Sequence, residues 1–178
     1  MERAVISQPD NPTFLFRLGR FYHQTGAHTR AYERFKEAAE NDSSYWDARL
    51  SLASIAIHLG KLNDAGAEID SLREKVGGEK RTILSTIEAD YLLAREDIEG
   101  AEKLAKSALD ERRDVVTLGM MAKIEFVKAR TAAQEGMRFV CESCKSRART
   151  LLEEGLKLEP HNAPLKAQME GLTAIGSQ

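Results

Sequence analysis

The chain has no uninterrupted apolar run near the ~20 residues that a membrane-spanning helix needs, so such a span is not expected. Its first residues, MERAVISQPDNP, lack the apolar core of a secretory signal. Cysteine is scarce: two in 178 residues, and those two, Cys141 and Cys144, sit too close together to frame a disulfide-stapled domain. A reducing compartment is the simpler reading, and the expected location is cytoplasmic. Proline is also scarce, four in all, which argues against collagen-like or disordered chains. Strict alternation of apolar and polar residues, the mark of half-buried strands, is missing. A dominant charge is missing too. A net charge of −2 supplies no global field for nucleic acid or an anionic membrane.

What remains is helical periodicity, and it is organised. Asn11 can cap a helix that has Pro12 as its first residue. Leu15, Leu18, Gly19 and Tyr22 then fall on one face, and Gly26 stands where a left-handed cap residue would. A second helix, beginning near Thr29, carries Ala31, Phe35 and Ala38 inward. Gly19 and Ala31 are small enough for two antiparallel helices to approach, while Tyr22 and Phe35 fill the space beside them. The pattern returns after 34 residues as Leu52, Ala53, Ala56, Gly60, Ala65, Ile69 and Leu72. A third copy runs through Ala89, Leu92, Ala101, Ala105 and Ala108. A fourth has Leu118, Gly119, Ala122, then Ala148, Leu152 and Gly155, ending in LKLEPHN.

These residues, at this period and with the closing Pro-x-Asn, resemble the tetratricopeptide repeat (TPR) family. The resemblance implies an all-α fold, a right-handed superhelix of helical hairpins. Its copies would occupy 12–45, 46–79, 80–113 and 114–162, followed by a terminal capping helix over 163–174. Residues 1–11 match the phase of a preceding copy's end, so the expectation is an array that continues upstream in a longer protein. The sequence departs from the family pattern in places. Leu15 and Arg49 stand where an early large aromatic is usual, and the third copy uses REDIEG in place of a glycine turn. The fourth carries about a dozen extra residues, with a first helix extended by two turns and Met137, Phe139 and Val140 at its connection.

In this family the first helices of successive hairpins line a groove that receives a peptide segment. Carrying that spacing over implies Phe16, Arg17, Arg20, His23 and Gln24 from the first copy. The second contributes Leu50, Ser54, Ile57 and His58, and the third Asp90. Met137 and Phe139 form a second candidate contact. The subfamily that clamps a chaperone's C-terminal carboxylate uses Lys and Asn at groove sites that hold Phe16, Arg20 and Ser51 here, so that specificity is not expected.

The implied function is recognition of a protein or peptide partner, without catalysis, metal or cofactor. The alternatives are a sensor or regulatory region of a larger multidomain signalling or defence protein, docking intramolecularly on upstream domains, and a homo-oligomerising array. No membrane contact is expected. Nucleic acid is disfavoured despite the basic stretch 128–149, because aromatics for base stacking are few. The Cys141–Cys144 pair lacks two further donors for zinc, with His23, His28, His58 and His161 scattered along the chain. Lys145, Arg147 and Arg149 nearby would favour a lowered thiol pKa, although small buried hydrophobes are the commoner use of cysteine.

Overall fold

A computed structural model describes residues 10–175, and the match of residues 1–9 to a preceding copy lies outside them. Nine α-helices and no strand occur among the described residues. The chain divides into two compact units, Met1–Ala94 and Arg95–Gln178. The boundary falls inside the stretch 80–113. The first unit holds α1 (Pro12–Gln24), α2 (His28–Asn41), α3 (Trp46–His58), α4 (Leu62–Leu72) and α5 (Glu79–Ala94). The second holds α6 (Ile98–Glu111), α7 (Val115–Gln134), α8 (Arg138–Leu158) and α9 (Ala163–Ala174).

Helix starts follow local chemistry. The Asn11 side chain accepts from the backbone N–H groups of Thr13 and Phe14 at 3.0 and 3.3 Å, with Pro12 opening α1. Asp114 and Thr117 form a reciprocal capping box on α7. Asn162 caps α9 through the Leu165 N–H at 3.1 Å. Helix ends at the hairpin turns share one device, a residue with left-handed backbone: Gly26 at φ 77°, Gly60 at 72° and Gly136 at 74°. After each, the next N–H reaches a carbonyl five residues back, as in Ala27 to Tyr22 at 2.8 Å.

The REDIEG turn keeps the left-handed backbone without the glycine. Glu96 itself takes φ 64°. A non-glycine residue pays about 1 kcal/mol or more there, partly offset because glycine is freer in the unfolded chain. Glu96→Gly is therefore expected to stabilise by about 0.5–1 kcal/mol, read as a higher urea midpoint at unchanged slope.

In the first unit α1 packs on α2, α2 on α3, α3 on both α4 and α5, and α4 on α5. The small residues lie at these crossings: Ala31, Ala38, Ala53, Ala56 and Ala65 are wholly buried. Gly19 faces Phe35, and a Cβ built there would sit 2.6 Å from the ring. Arg49, at the site of the missing aromatic, ties α3 to α4 by donating to Glu68 at 2.9 Å and to the Ser71 hydroxyl at 2.9 Å.

In the second unit α7 and α8 pair along 20 and 21 residues, against 13 and 14 for α1 and α2. Ala122, Ala129, Ala148 and Leu152 fill their seam. The helix α9 closes that core with Leu165 and Leu172, and Leu165 presses against Gly119 and Gly155. Cys141 and Cys144 are free thiols buried in the same core. Burial, followed by the charge of Glu125, pushes the Cys144 thiol pKa up even though an Arg147 N–H lies 3.1 Å from its sulfur. The neighbouring basic side chains thus do not activate Cys144, because desolvation outweighs them.

Candidate functional site

The first helices of the first unit, α1, α3 and α5, carry most of the sequence-derived candidates. On α1, turns of 3.6 residues bury Leu15, Leu18 and Gly19 and leave Arg17, Arg20, His23 and Gln24 exposed. On α3, Leu52, Ala53 and Ala56 are buried while Ser54 and His58 are exposed. Ile57 is half-buried against the cluster that holds Leu84 and Ile87, and Asp90 on α5 is half-buried and engaged in a polar interaction.

The two remaining candidates of this unit, Phe16 and Leu50, pack with core clusters. Phe16 packs its ring against Phe35 and Tyr45, at centroid separations of 5.7 and 5.2 Å. It is half-buried, and its outer side carries the Arg20 guanidinium, 5.9 Å from the ring centroid. Leu50 is 4% exposed and belongs to the cluster formed with Ile69, Leu72, Leu84 and Ile87. It supports the face from beneath, because α5 packs directly over α3.

Three histidines that look scattered in the sequence meet at one end of this face. The His28 ring lies 5.3 Å from that of His23 and 4.3 Å edge-on from that of His58. His28 Nδ1 is buried without a hydrogen-bond partner. Burial first, then the charges of His58 and His23, hold its pKa below the ordinary imidazole value. The groove spacing places His23 and His58 on neighbouring first helices, but not against His28. The rings do not converge as metal ligands: among the described residues no group of three or more His, Cys, Asp or Glu is placed to hold a metal ion.

Each unit also has a charged depression. In the first, of about 330 Å³, the Tyr32 hydroxyl donates to Asp64 at 2.8 Å and Lys61 lies over the Tyr32 ring. Burial and then the bond to Asp64 push the Tyr32 pKa up to about 12, so it stays protonated. The second, of about 550 Å³, is crossed by a ladder running Lys106–Glu102–Lys128–Glu125–Arg147 over α6, α7 and α8. These side chains are occupied in pairing with one another.

The other sequence candidates lie at the α7–α8 turn. Phe139 is 88% exposed, with Met137 and Val140 each 44% exposed beside it.

Two tetratricopeptide repeat family models match the sequence, one over residues 24–81 and one over residues 1–42. Comparison with curated proteins returns no match. Among solved structures, the chain is similar to a thermophilic TPR protein from Thermus thermophilus. The TM-score is 0.58 at 15% identity, covering 91% of this chain and 98% of that one. It is also similar to YrrB, a TPR protein described as having an unusual peptide-binding site. There the TM-score is 0.55 at 13% identity, covering 98% of this chain and 91% of that one. At such identities the likeness speaks for the fold.

Proposed function

We propose that the chain, whose residues 1–81 match tetratricopeptide repeat models, is a protein-interaction module whose first unit binds a peptide segment of a partner across α1, α3 and α5. One observation carries this reading. Along α1 and α3 the helical period sends one set of side chains into the core and leaves the other, Arg20, His23, Gln24, Ser54, Ile57 and His58, exposed or half-buried on the first helices. That set mixes donors, two imidazoles and an aliphatic side chain, which suits a peptide better than a small apolar ligand. The peptide-binding site named for the structurally similar YrrB supports it by analogy of fold.

The guanidiniums of Arg17 and Arg20 would meet carboxylates or backbone carbonyls of the peptide, and Ile57 an apolar anchor. Recognition would proceed by shape, hydrogen bonding and charge, with no covalent step. Peptides selected by display on the purified chain supply a probe for calorimetry. Arg20→Glu and Ile57→Asp are each expected to weaken a selected peptide by about tenfold or more, an interfacial loss of roughly 1.4 kcal/mol or above. Helical circular dichroism should stay unchanged in Arg20→Glu, since Arg20 is exposed; Ile57 packs against two core clusters, so the loss in Ile57→Asp counts only where its denaturation midpoint shows the first unit folded. Full affinity in both variants would remove α1 and α3 from the binding surface.

A further inference from the structure

The turns at Gly26, Gly60, Glu96 and Gly136, each carrying a left-handed residue, act as controls for one another. Three positions after the left-handed residue stand Thr29, Asn63 and Glu99 in three of the turns, all polar and exposed. The fourth turn puts Phe139 there, 88% exposed. Two positions after it, the other turns place His28, Leu62 and Ile98, each half-buried, whereas the fourth places Arg138 in water. One position after it, Ala27, Lys61 and Asp97 give way to Met137. The usual order, apolar tucked in and polar outward, is therefore reversed at this turn. The turn itself does not require this, since Gly136 supplies the same backbone as Gly26 and Gly60. Local cover does not explain it either, because Phe139, Met137 and Val140 all stay exposed with α8 and α9 in place. The turn also ends the longest hairpin, in which α7 exceeds α1 by seven residues, 20 against 13, or about 10 Å of helix.

We infer that this tip is a self-association knob, and that its occupant is a second copy of the same chain, joined about a two-fold axis near Phe139. The charges around the apolar side chains argue for that occupant. Glu135 and Arg138 flank the knob with opposite signs, and neither side chain has a hydrogen-bonding or ionic partner among the described residues. Glu142, 70% exposed, carries a second negative charge one turn along, paired to its own Lys145 at 3.0 Å. A patch with both signs on its rim is complementary to itself: a two-fold brings Arg138 of each copy to Glu135 of the other while Phe139, Met137 and Val140 bury one another. Three apolar side chains per copy cover well under the ~1,200 Å² of a stable interface. The dimer is consequently weak and forms at high concentration or when a larger assembly holds two copies close.

Sedimentation equilibrium of the full chain, from micromolar to millimolar concentration, tests this. The expected result is a weight-average mass that climbs from one chain toward two. Phe139→Asp should weaken association at least tenfold with unchanged helical circular dichroism, because the side chain it replaces lies in water. Arg138→Glu should weaken it likewise, and adding Glu135→Arg to the same chain should restore it. A chain that stays monomeric at millimolar concentration would overturn the inference, as would association indifferent to Phe139→Asp. Failure of the charge exchange to restore binding would overturn the two-fold pairing. A monomer that Phe139 holds on anionic vesicles would assign the knob to a lipid surface, again against the inference.

Discussion

Phe35→Ala is expected to destabilise the first unit by about 3–5 kcal/mol, the range for removing a buried phenylalanine from a packed core. Its ring is 3% exposed, lies against Phe16 at 5.7 Å, and fills the hollow that Gly19 leaves on α1. The converse change is also costly. A Cβ at Gly19 would stand 2.6 and 2.7 Å from two ring carbons, so Gly19→Leu forces the ring out of its site, at roughly 1–3 kcal/mol for overpacking. The two positions are halves of one small-against-large contact between α1 and α2. Combined in one chain, Gly19→Leu and Phe35→Ala should therefore cost less than the sum of the single changes, with a coupling of about 1–3 kcal/mol. Fluorescence of the single tryptophan, Trp46, reports this unit, since it packs against the neighbouring cluster that includes Leu50 and Ile69. Denaturant curves followed by that signal would measure all three variants. Strict additivity would show that the Gly19–Phe35 contact does not join the helices as its geometry implies.

Arg147→Met should destabilise the second unit by about 2–3 kcal/mol, whereas Glu125→Met should change its stability by less than about 1 kcal/mol. The asymmetry comes from burial. The Glu125 side chain is 4% exposed and accepts from Arg147 Nε at 3.0 Å, with Lys128 at 3.6 Å. Removing the guanidinium leaves a buried carboxylate with one distant cation, and stranded buried charge is expensive. The figure is set below the full range for a broken buried pair because Arg147 is half exposed and already screened by water. Removing the carboxylate strands nothing comparable: Arg147 turns to solvent, and Lys128 keeps Glu102 at 2.9 Å. The double substitution should behave like Glu125→Met alone. Equal losses from the two single changes would mean that Glu125 reaches water more freely than its position allows. The ladder is also acid-sensitive in a defined direction. Hydrogen bonds from Lys106 and then Lys128 hold the Glu102 pKa below the ordinary value of 4.5. On acidification the unfolded chain takes up that proton first. The contribution is complete above about pH 4.5 and is lost as pH falls through the lower folded value.

Where the determinants are local, they can be read directly from the sequence. Asn11 with Pro12 marked a helix start, and Gly26 and Gly60 marked turns whose backbone is left-handed. Gly19 and Ala31 were legible as the small residues of the α1–α2 crossing and Tyr22 and Phe35 as the large ones, but that Phe35 fills the hollow at Gly19 is a fact of the packing. Even the long α7 was visible as an apolar stripe running past its expected end. REDIEG was legible as a departure, but only the backbone shows that Glu96 accepts the conformation a glycine would normally take.

The candidate surface was less legible. Family spacing named Leu50 as a groove residue, yet α5 lies over it, and spacing along one helix does not say what a neighbouring helix covers. His23, His28 and His58 look unrelated until three helix ends are brought together. The Glu125–Arg147 bond spans 22 residues and the Tyr32–Asp64 bond spans 32, distances over which no helical period relates the side chains.

The sequence by itself determined the helices, their caps, their turns and the faces they bury. Backbone hydrogen bonding, left-handed turn residues and apolar periodicity each act over a few residues, so neighbours along the chain suffice to specify them. Only tertiary structure decided which charges are paired, which histidines touch, and which apolar side chains remain in water, Phe139 above all. Exposure and charge pairing depend on how separate helices come together, which is set by the summed packing of many side chains rather than by any short stretch.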